Sequence, residues 1–240
     1  MHILAMDTAT NGCSVALTDG ARIAARRSAP MARGQAEALV PMIAAVMDEA
    51  GVDFGALDLL AVTVGPGAFT GLRIGLAAAR GMALTTGLKC LGVTTTEAIA
   101  RGVDGAGLDG RRLLVAIDTK RNDLYAQMFS PAGQVLGQPE AVRPEDLAAF
   151  TGNGPLMIAG DAATRAAEIL RSAGTQADLA EAPGLPDAAM VAAVAEQRWQ
   201  AMDSGERTKL APPTPLYLRP PDAKPAKDGG GLRPSRPSTP

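Results

Sequence analysis

Histidine is nearly missing from this chain of 240 residues: His2 is the only one. A Ser-His or Cys-His catalytic pair would have to use His2, which reads as a strand-edge residue with no role, and a metal held by several imidazoles is excluded. Aromatic residues are also scarce, at 3%. A surface that stacks unpaired bases on Phe, Tyr or Trp has little to work with. The net charge of −2 argues the same way, because an autonomous RNA-binding surface needs a basic excess. Any contact with RNA is expected to be indirect.

There are two cysteines, Cys13 and Cys90, far apart and each inside an apolar run. They read as buried, reduced thiols. No apolar stretch reaches the length of a membrane span. The opening "MHILAMDTAT" has no basic segment followed by a long apolar core and a cleavage site, so no export signal is read there. A cytoplasmic protein without a membrane partner is expected.

What the chain does have is a duplicated theme. Residues 2–7, "HILAMD", predict a buried strand ending in Asp7, and 13–20 predict a second strand closed by an Asp-Gly turn. A third strand is expected at 21–28. Residues 34–50 carry a helical stripe of Leu39, Met42, Ile43, Val46 and Met47, with Pro41 expected to bend or restart the helix and Gly51 to stop it. A buried strand at 58–65, a helix from Thr70 to Thr86, a strand at 89–95 and a short helix at 97–101, capped by Thr95 or Thr96, follow. After the Gly- and Asp-rich segment 101–110 the opening theme returns as a strand ending in Asp118-Thr119, a polar turn and a second strand at 124–129. A short helix lies in "RPEDLAAF", a strand in "PLMIAGDAA", and helices at 162–173 and 187–203. Such a repeat predicts two similar α/β lobes: an N-terminal lobe over 1–103 and a C-terminal lobe over 104–218 whose last helix packs back on the first. The Pro-, Gly- and Lys-rich remainder, 219–240, reads as a disordered tail.

The segment "TVGPGAFTGLRIGLAAARG", 63–81, holds five glycines around one proline. It is neither a Walker A loop, since no lysine follows Gly71, nor a dinucleotide fingerprint, since Gly65 and Gly67 fit but Gly71 comes one residue late. A strand, a glycine turn and a helix N-terminus remain. Such an end can bind an anion, and the same geometry is also just a sharp turn. In the helix that follows, Gly71, Gly75 and Ala79 recur every four residues, with Ala78 and Met82 beside them and Leu72 on a second apolar face. Small residues on one face admit a second helix, either of the same core or of another subunit.

The stretches "MHILAMDTATNGCSVAL", "VTVGPGAFTGLRIGLAAARGMAL", "LGVTTTEAIA" and "PLYLRP" together resemble the TsaB (YeaZ) family, over residues 1 to about 219. The resemblance implies a two-lobed fold of the actin/hexokinase/Hsp70-like superfamily. It also implies a role as the non-catalytic partner of the transferase TsaD in forming N6-threonylcarbamoyladenosine in tRNA, with the ATPase TsaE joining them and no cofactor of its own. In TsaD-type proteins a His-x-x-x-His pair binds metal; the matching positions here are Thr95 and Ile99, neither of which replaces an imidazole. Relatives carry a His near the start of the first helix where this chain has Gln35. By the same resemblance the partner surface comprises Leu39, Met42, Ile43, Val46, Gly71, Leu72, Gly75, Ala78, Ala79 and Met82, with a homodimer through the same helices in the partner's absence. Asp7, Thr8, Gly65 and Gly67 are read as the remnant of a nucleotide site. A superfamily small-molecule kinase or ATPase using Asp7 is the alternative, set against a turn after Asp7 with no glycine beyond Gly12 and a glycine-free "DTKRND" (118–123), where side chains would hold a phosphate away from the backbone.

Overall fold

The computed structural model describes residues 1–182 and 184–219. The expected tail lies, beyond Arg219, outside the described residues. Two five-stranded mixed sheets share one topology. In the first, β1 (His2–Asp7), β2 (Gly12–Asp19) and β3 (Arg22–Pro30) form an antiparallel meander. β4 (Leu59–Gly65) and β5 (Cys90–Thr94) then add in parallel on the far side of β1. The order is β3-β2-β1-β4-β5. The second sheet repeats it with β6 (Arg112–Asp118), β7 (Leu124–Phe129), β8 (Glu140–Val142), β9 (Leu156–Ala159) and β10 (Ala177–Leu179), in the order β8-β7-β6-β9-β10. The duplicated strand-Asp-Thr theme is thus one architecture built twice, in two α/β lobes of the same sheet order.

Both faces of the first sheet are covered at its centre, which is why β1 and β4 are apolar at nearly every position. On one face Leu4, Met6, Val15, Leu17, Leu60 and Val62 meet α1 (Gln35–Ala50) and α2 (Phe69–Thr86) through Leu39, Ile43, Val46, Leu76 and Ala79. On the other, Ile3, Ala5, Ala16, Leu59 and Ala61 meet α6 (Ala188–Ala201), whose Ala188, Ala189, Ala192 and Ala195 let it lie close. The helix α3 (Thr95–Arg101) joins the lobes: Ala98 belongs to this core, while Ile99 packs with Leu113, Val115, Ile117 and Phe129 of the second sheet. That sheet's other face is closed by α4 (Leu147–Thr151) and α5 (Ala163–Ser172).

Several local expectations are corrected. Pro41 sits inside an unbroken α1. The cap of α3 is Thr94, in a capping box with Glu97, so the helix starts earlier than expected. The last long helix ends at Ala201, and a separate helix α7 (Ser204–Lys209) begins at its own cap, Asp203. The strands β8 and β10, of three residues each, went unread.

The segment 211–219 runs back over the first lobe as a strap. Leu216 N–H donates to the Val64 carbonyl at 2.7 Å. Tyr217 stacks against Phe69 at 5.1 Å between ring centroids and accepts a hydrogen bond from Arg73 Nε at 3.1 Å. Arg219 then reaches the second lobe, where it pairs with Asp123 and lies over the Tyr125 ring.

Candidate functional site

The glycine loop between β4 and α2 is filled by the chain itself. A Cβ on Gly67 would lie 2.2 Å from the Ala9 carbonyl oxygen, and one on Gly71 would lie 2.0 Å from that of Thr8. A Cβ on Gly65, whose φ is +111°, would lie 2.8 Å from the Leu216 carbonyl oxygen. These contacts need glycine because backbone, not ligand, approaches the loop. Ala68 N–H donates to Ala9 O at 2.7 Å, and the Thr8 hydroxyl donates to Gly71 O at 2.7 Å. Three carbonyl oxygens thus face the loop's glycines, a lining that repels an anion between them.

Asp7 is buried at the base of this arrangement. Its Oδ1 accepts from the Thr63 hydroxyl at 2.6 Å and from Ala9 N–H at 3.0 Å. Burial pushes the carboxyl up to about 7, against the lowering effect of those two donors and with a further upward contribution from Asp187. Asp118 is its counterpart in the second lobe and makes the same turn: Lys120 N–H donates to Asp118 Oδ1 at 2.9 Å. The two environments differ. Burial pushes Asp118 up, but the Lys120 hydrogen bonds and charge outweigh it and hold the carboxyl below its usual range. Asp161, which accepts from Asp118 N–H, is raised by burial.

The cleft between the lobes is lined by Thr10, Asn11, Ala68, Asp118, Lys120 and Asp161, among others, and measures about 100 Å³. Small-molecule sites begin at about 300 Å³. Asp7 does not line it. Of the four residues read as a nucleotide-site remnant, Asp7, Thr8 and Gly67 meet around the chain's own β1–β2 turn, while Gly65 faces Leu216 of the strap.

The residues read as a partner surface divide. Leu39, Ile43, Val46, Gly71, Leu72, Gly75 and Ala79 are buried within the lobe's own core, and a Cβ on Gly75 would lie 2.7 Å from Thr8 Oγ1. The stripe of small residues in α2 serves the approach of the β1–β2 turn, not of a second subunit. Met42, Ala78 and Met82 are half-buried between α1 and α2. Sequence reasoning passed over the exposed apolar residues outside them, Val40 (63% exposed) and Leu84 (87%). Their signal was available, since they are the large apolar residues that fall off each helix's buried stripe.

Thr95 and Ile99 are both buried, and the Thr95 hydroxyl has no partner among the described residues. Among those residues, too, no group of three or more His, Cys, Asp or Glu side chains is placed to hold a metal. Gln35, the first residue of α1, is buried and donates its amide to the Met31 carbonyl at 3.0 Å.

Residues 29–227 match the family described as TsaD, tRNA N6-adenosine threonylcarbamoyltransferase. The tRNA threonylcarbamoyladenosine biosynthesis protein TsaB of Escherichia coli is 39% identical over 129 residues, 52% of this chain and 53% of its own length. The chain belongs to the TsaD family, within its TsaB (YeaZ) group. The match spans about half of the Escherichia coli TsaB. An uncharacterized Mycobacterium tuberculosis protein is 32% identical over 226 residues, 93% of this chain and 94% of its own. Among solved structures, YeaZ from Pseudomonas aeruginosa superposes with a TM-score of 0.71 at 27% identity, covering 90% of this chain and 99% of that one. No helix among the described residues is long and apolar enough to cross a membrane.

Proposed function

We propose that this chain is a non-catalytic subunit required for N6-threonylcarbamoyladenosine formation in tRNA. It binds a TsaD transferase through the outer face of α1 and α2, and TsaE joins the pair. The observation that carries this reading is the contrast between two neighbouring surfaces. The loop that would serve a nucleotide is filled by the carbonyls of Thr8, Ala9 and Leu216, while the two helices beside it carry exposed Val40 and Leu84 and half-buried Met42, Ala78 and Met82. Apolar side chains left outside the core on both helices give a partner protein something to bury. The N-terminal lobe is then the partner-binding lobe. The net charge of −2 leaves contact with tRNA mainly to the partner, and the complex works in the cytoplasm, where its substrate is.

The test is reconstitution with the cognate TsaD, TsaE, the synthase that makes threonylcarbamoyl-AMP, substrates and unmodified tRNA, followed by mass spectrometry of the modified nucleoside. Modification should require the chain, and the chain alone should make none. Leu84→Glu should abolish co-purification with TsaD while the protein stays folded. Modification that is unchanged when the chain is omitted overturns the proposal.

A further inference from the structure

Positive charge in this chain is not spread evenly. Residues 219–240 hold five Lys and Arg against two Asp and Glu, a net charge of +3. The whole chain carries −2, so residues 1–218 carry −5. The composition argues against an RNA-binding surface because it averages an acidic body with a basic end. That end leaves the fold at the strap, where Arg219 pairs with Asp123 and lies over the Tyr125 ring.

The described surface along the strap has the same chemistry. Arg121 stands beside Arg219: burial, and then the Arg121 charge, hold the Arg219 guanidinium below its ordinary range. Arg165 donates to the Arg121 carbonyl at 3.2 Å and to that of Asn122, and makes no ion pair among the described residues. At the other end of the strap, Arg73 lies 3.7 Å from the Phe69 ring centroid and donates to the Tyr217 hydroxyl. It too has no carboxylate partner among the described residues. Phe69 is 42% exposed and Tyr217 39%. Aromatic residues are scarce in the chain, yet Phe69, Tyr125 and Tyr217, three of its seven, stand along this one strap.

We propose that the strap and the basic segment that continues it form an arm that binds RNA. Guanidinium groups without a carboxylate partner are open to phosphates. Exposed rings beside them offer a place for unpaired bases. Lys224, Lys227, Arg233 and Arg236 add counter-charge for the phosphate backbone. A membrane surface is the poorer fit, because Leu232 is the only large apolar residue beyond Arg219 to enter it. The inference rests on the reading of tRNA as the substrate of the complex and adds to it a direct contact from this chain.

The experiment is the binding of fluorescently labelled, unmodified tRNA to the whole chain alone, followed by anisotropy between about 50 and about 200 mM salt, with polyglutamate in parallel. Transfer RNA should bind with an affinity that falls steeply with salt, and polyglutamate should bind more weakly. Lys224→Ala, Lys227→Ala, Arg233→Ala and Arg236→Ala together should lower the slope of log affinity against log salt by about 3, the share of four phosphate contacts. Arg73→Gln should weaken binding about fivefold. Arg22→Gln, at the opposite end of the first sheet, should leave it unchanged. Absence of salt-dependent binding, an unchanged slope in the fourfold variant, or equal losses from Arg73→Gln and Arg22→Gln overturns the arm. Polyglutamate binding as tightly as tRNA overturns its assignment to RNA. A chain that binds tRNA in this way but is dispensable in the reconstitution keeps the arm and loses the subunit role proposed above.

Discussion

The carbonyl oxygen of Thr8 lies 2.0 Å from where a Cβ on Gly71 would stand, and the Thr8 hydroxyl donates to the Gly71 carbonyl at 2.7 Å. One turn residue thus locks one helix residue from two sides, and the α2 N-terminus is seated on the end of β1. Gly71→Ala drives a methyl group into backbone and should cost about 3 kcal/mol. Gly81, in the same helix, has open space where a methyl would stand, with nothing within 4 Å, and Gly81→Ala should add about 0.5–1 kcal/mol. Urea unfolding of the two variants compares them directly. Similar effects from both would contradict the seating.

Asp7 gives the stability a pH dependence of stated sign. Its carboxyl sits near 7 in the folded chain against an ordinary value of 3.8. Between those values the folded state binds the proton and the unfolded state does not, so stability falls as pH rises through that window. In Asp7→Asn the side-chain oxygen still accepts from Thr63 and Ala9 while no charge is buried. The variant should melt higher than the parent at pH 8, and the gap should close toward pH 5. A constant gap would mean that Asp7 is not the group responsible.

Burial pushes the thiols up, Cys13 to about 11 and Cys90 to about 12. Thiolate, the reactive form, is then rare at pH 8. An Ellman titration of native protein should proceed only as fast as the chain opens, and adding denaturant should release both thiols at once. Rapid reaction of either in the native protein would place it nearer the surface.

The strap makes a prediction about the lobes. Arg219→Ala removes the pair with Asp123 and should cost about 1 kcal/mol, as partly exposed pairs do. It should also speed hydrogen exchange at Leu216 and in the 119–125 turn. Asp123 additionally accepts from the Thr119 hydroxyl at 2.8 Å, so Asp123→Ala, which removes that acceptor as well as the ion pair, should disturb the turn more than Arg219→Ala does. Unchanged exchange in both variants would show that the strap does not tie the lobes.

Long elements were legible because their patterns are strong. The runs that form β1, β4 and β6 are apolar at nearly every position, and α1 shows its buried stripe at Leu39, Ile43 and Val46. The repeat of strand, Asp and Thr was enough to read two like lobes. Three-residue strands such as β8 and β10 carry no period, and only their sheet neighbours define them. The site was half legible. Gly71 and Gly75 were read as positions where something comes close, but sequence does not say what, and the answer, the β1–β2 turn sixty residues earlier, is a tertiary fact. For the same reason an apolar stripe that looks like a partner surface turned out to be core, while the lone residues outside it, Val40 and Leu84, stayed exposed.

The position of α6 has a consequence for synthesis. The helix that covers Ile3, Ala5, Ala16, Leu59 and Ala61 begins at Ala188. As the chain leaves the ribosome, the first sheet is complete at Thr94 but waits until Ala188 and beyond before one of its faces can be closed. That face is an aggregation hazard for as long as it stays open. Truncation before Ala188 would therefore leave an incomplete lobe, not an N-terminal domain that folds by itself.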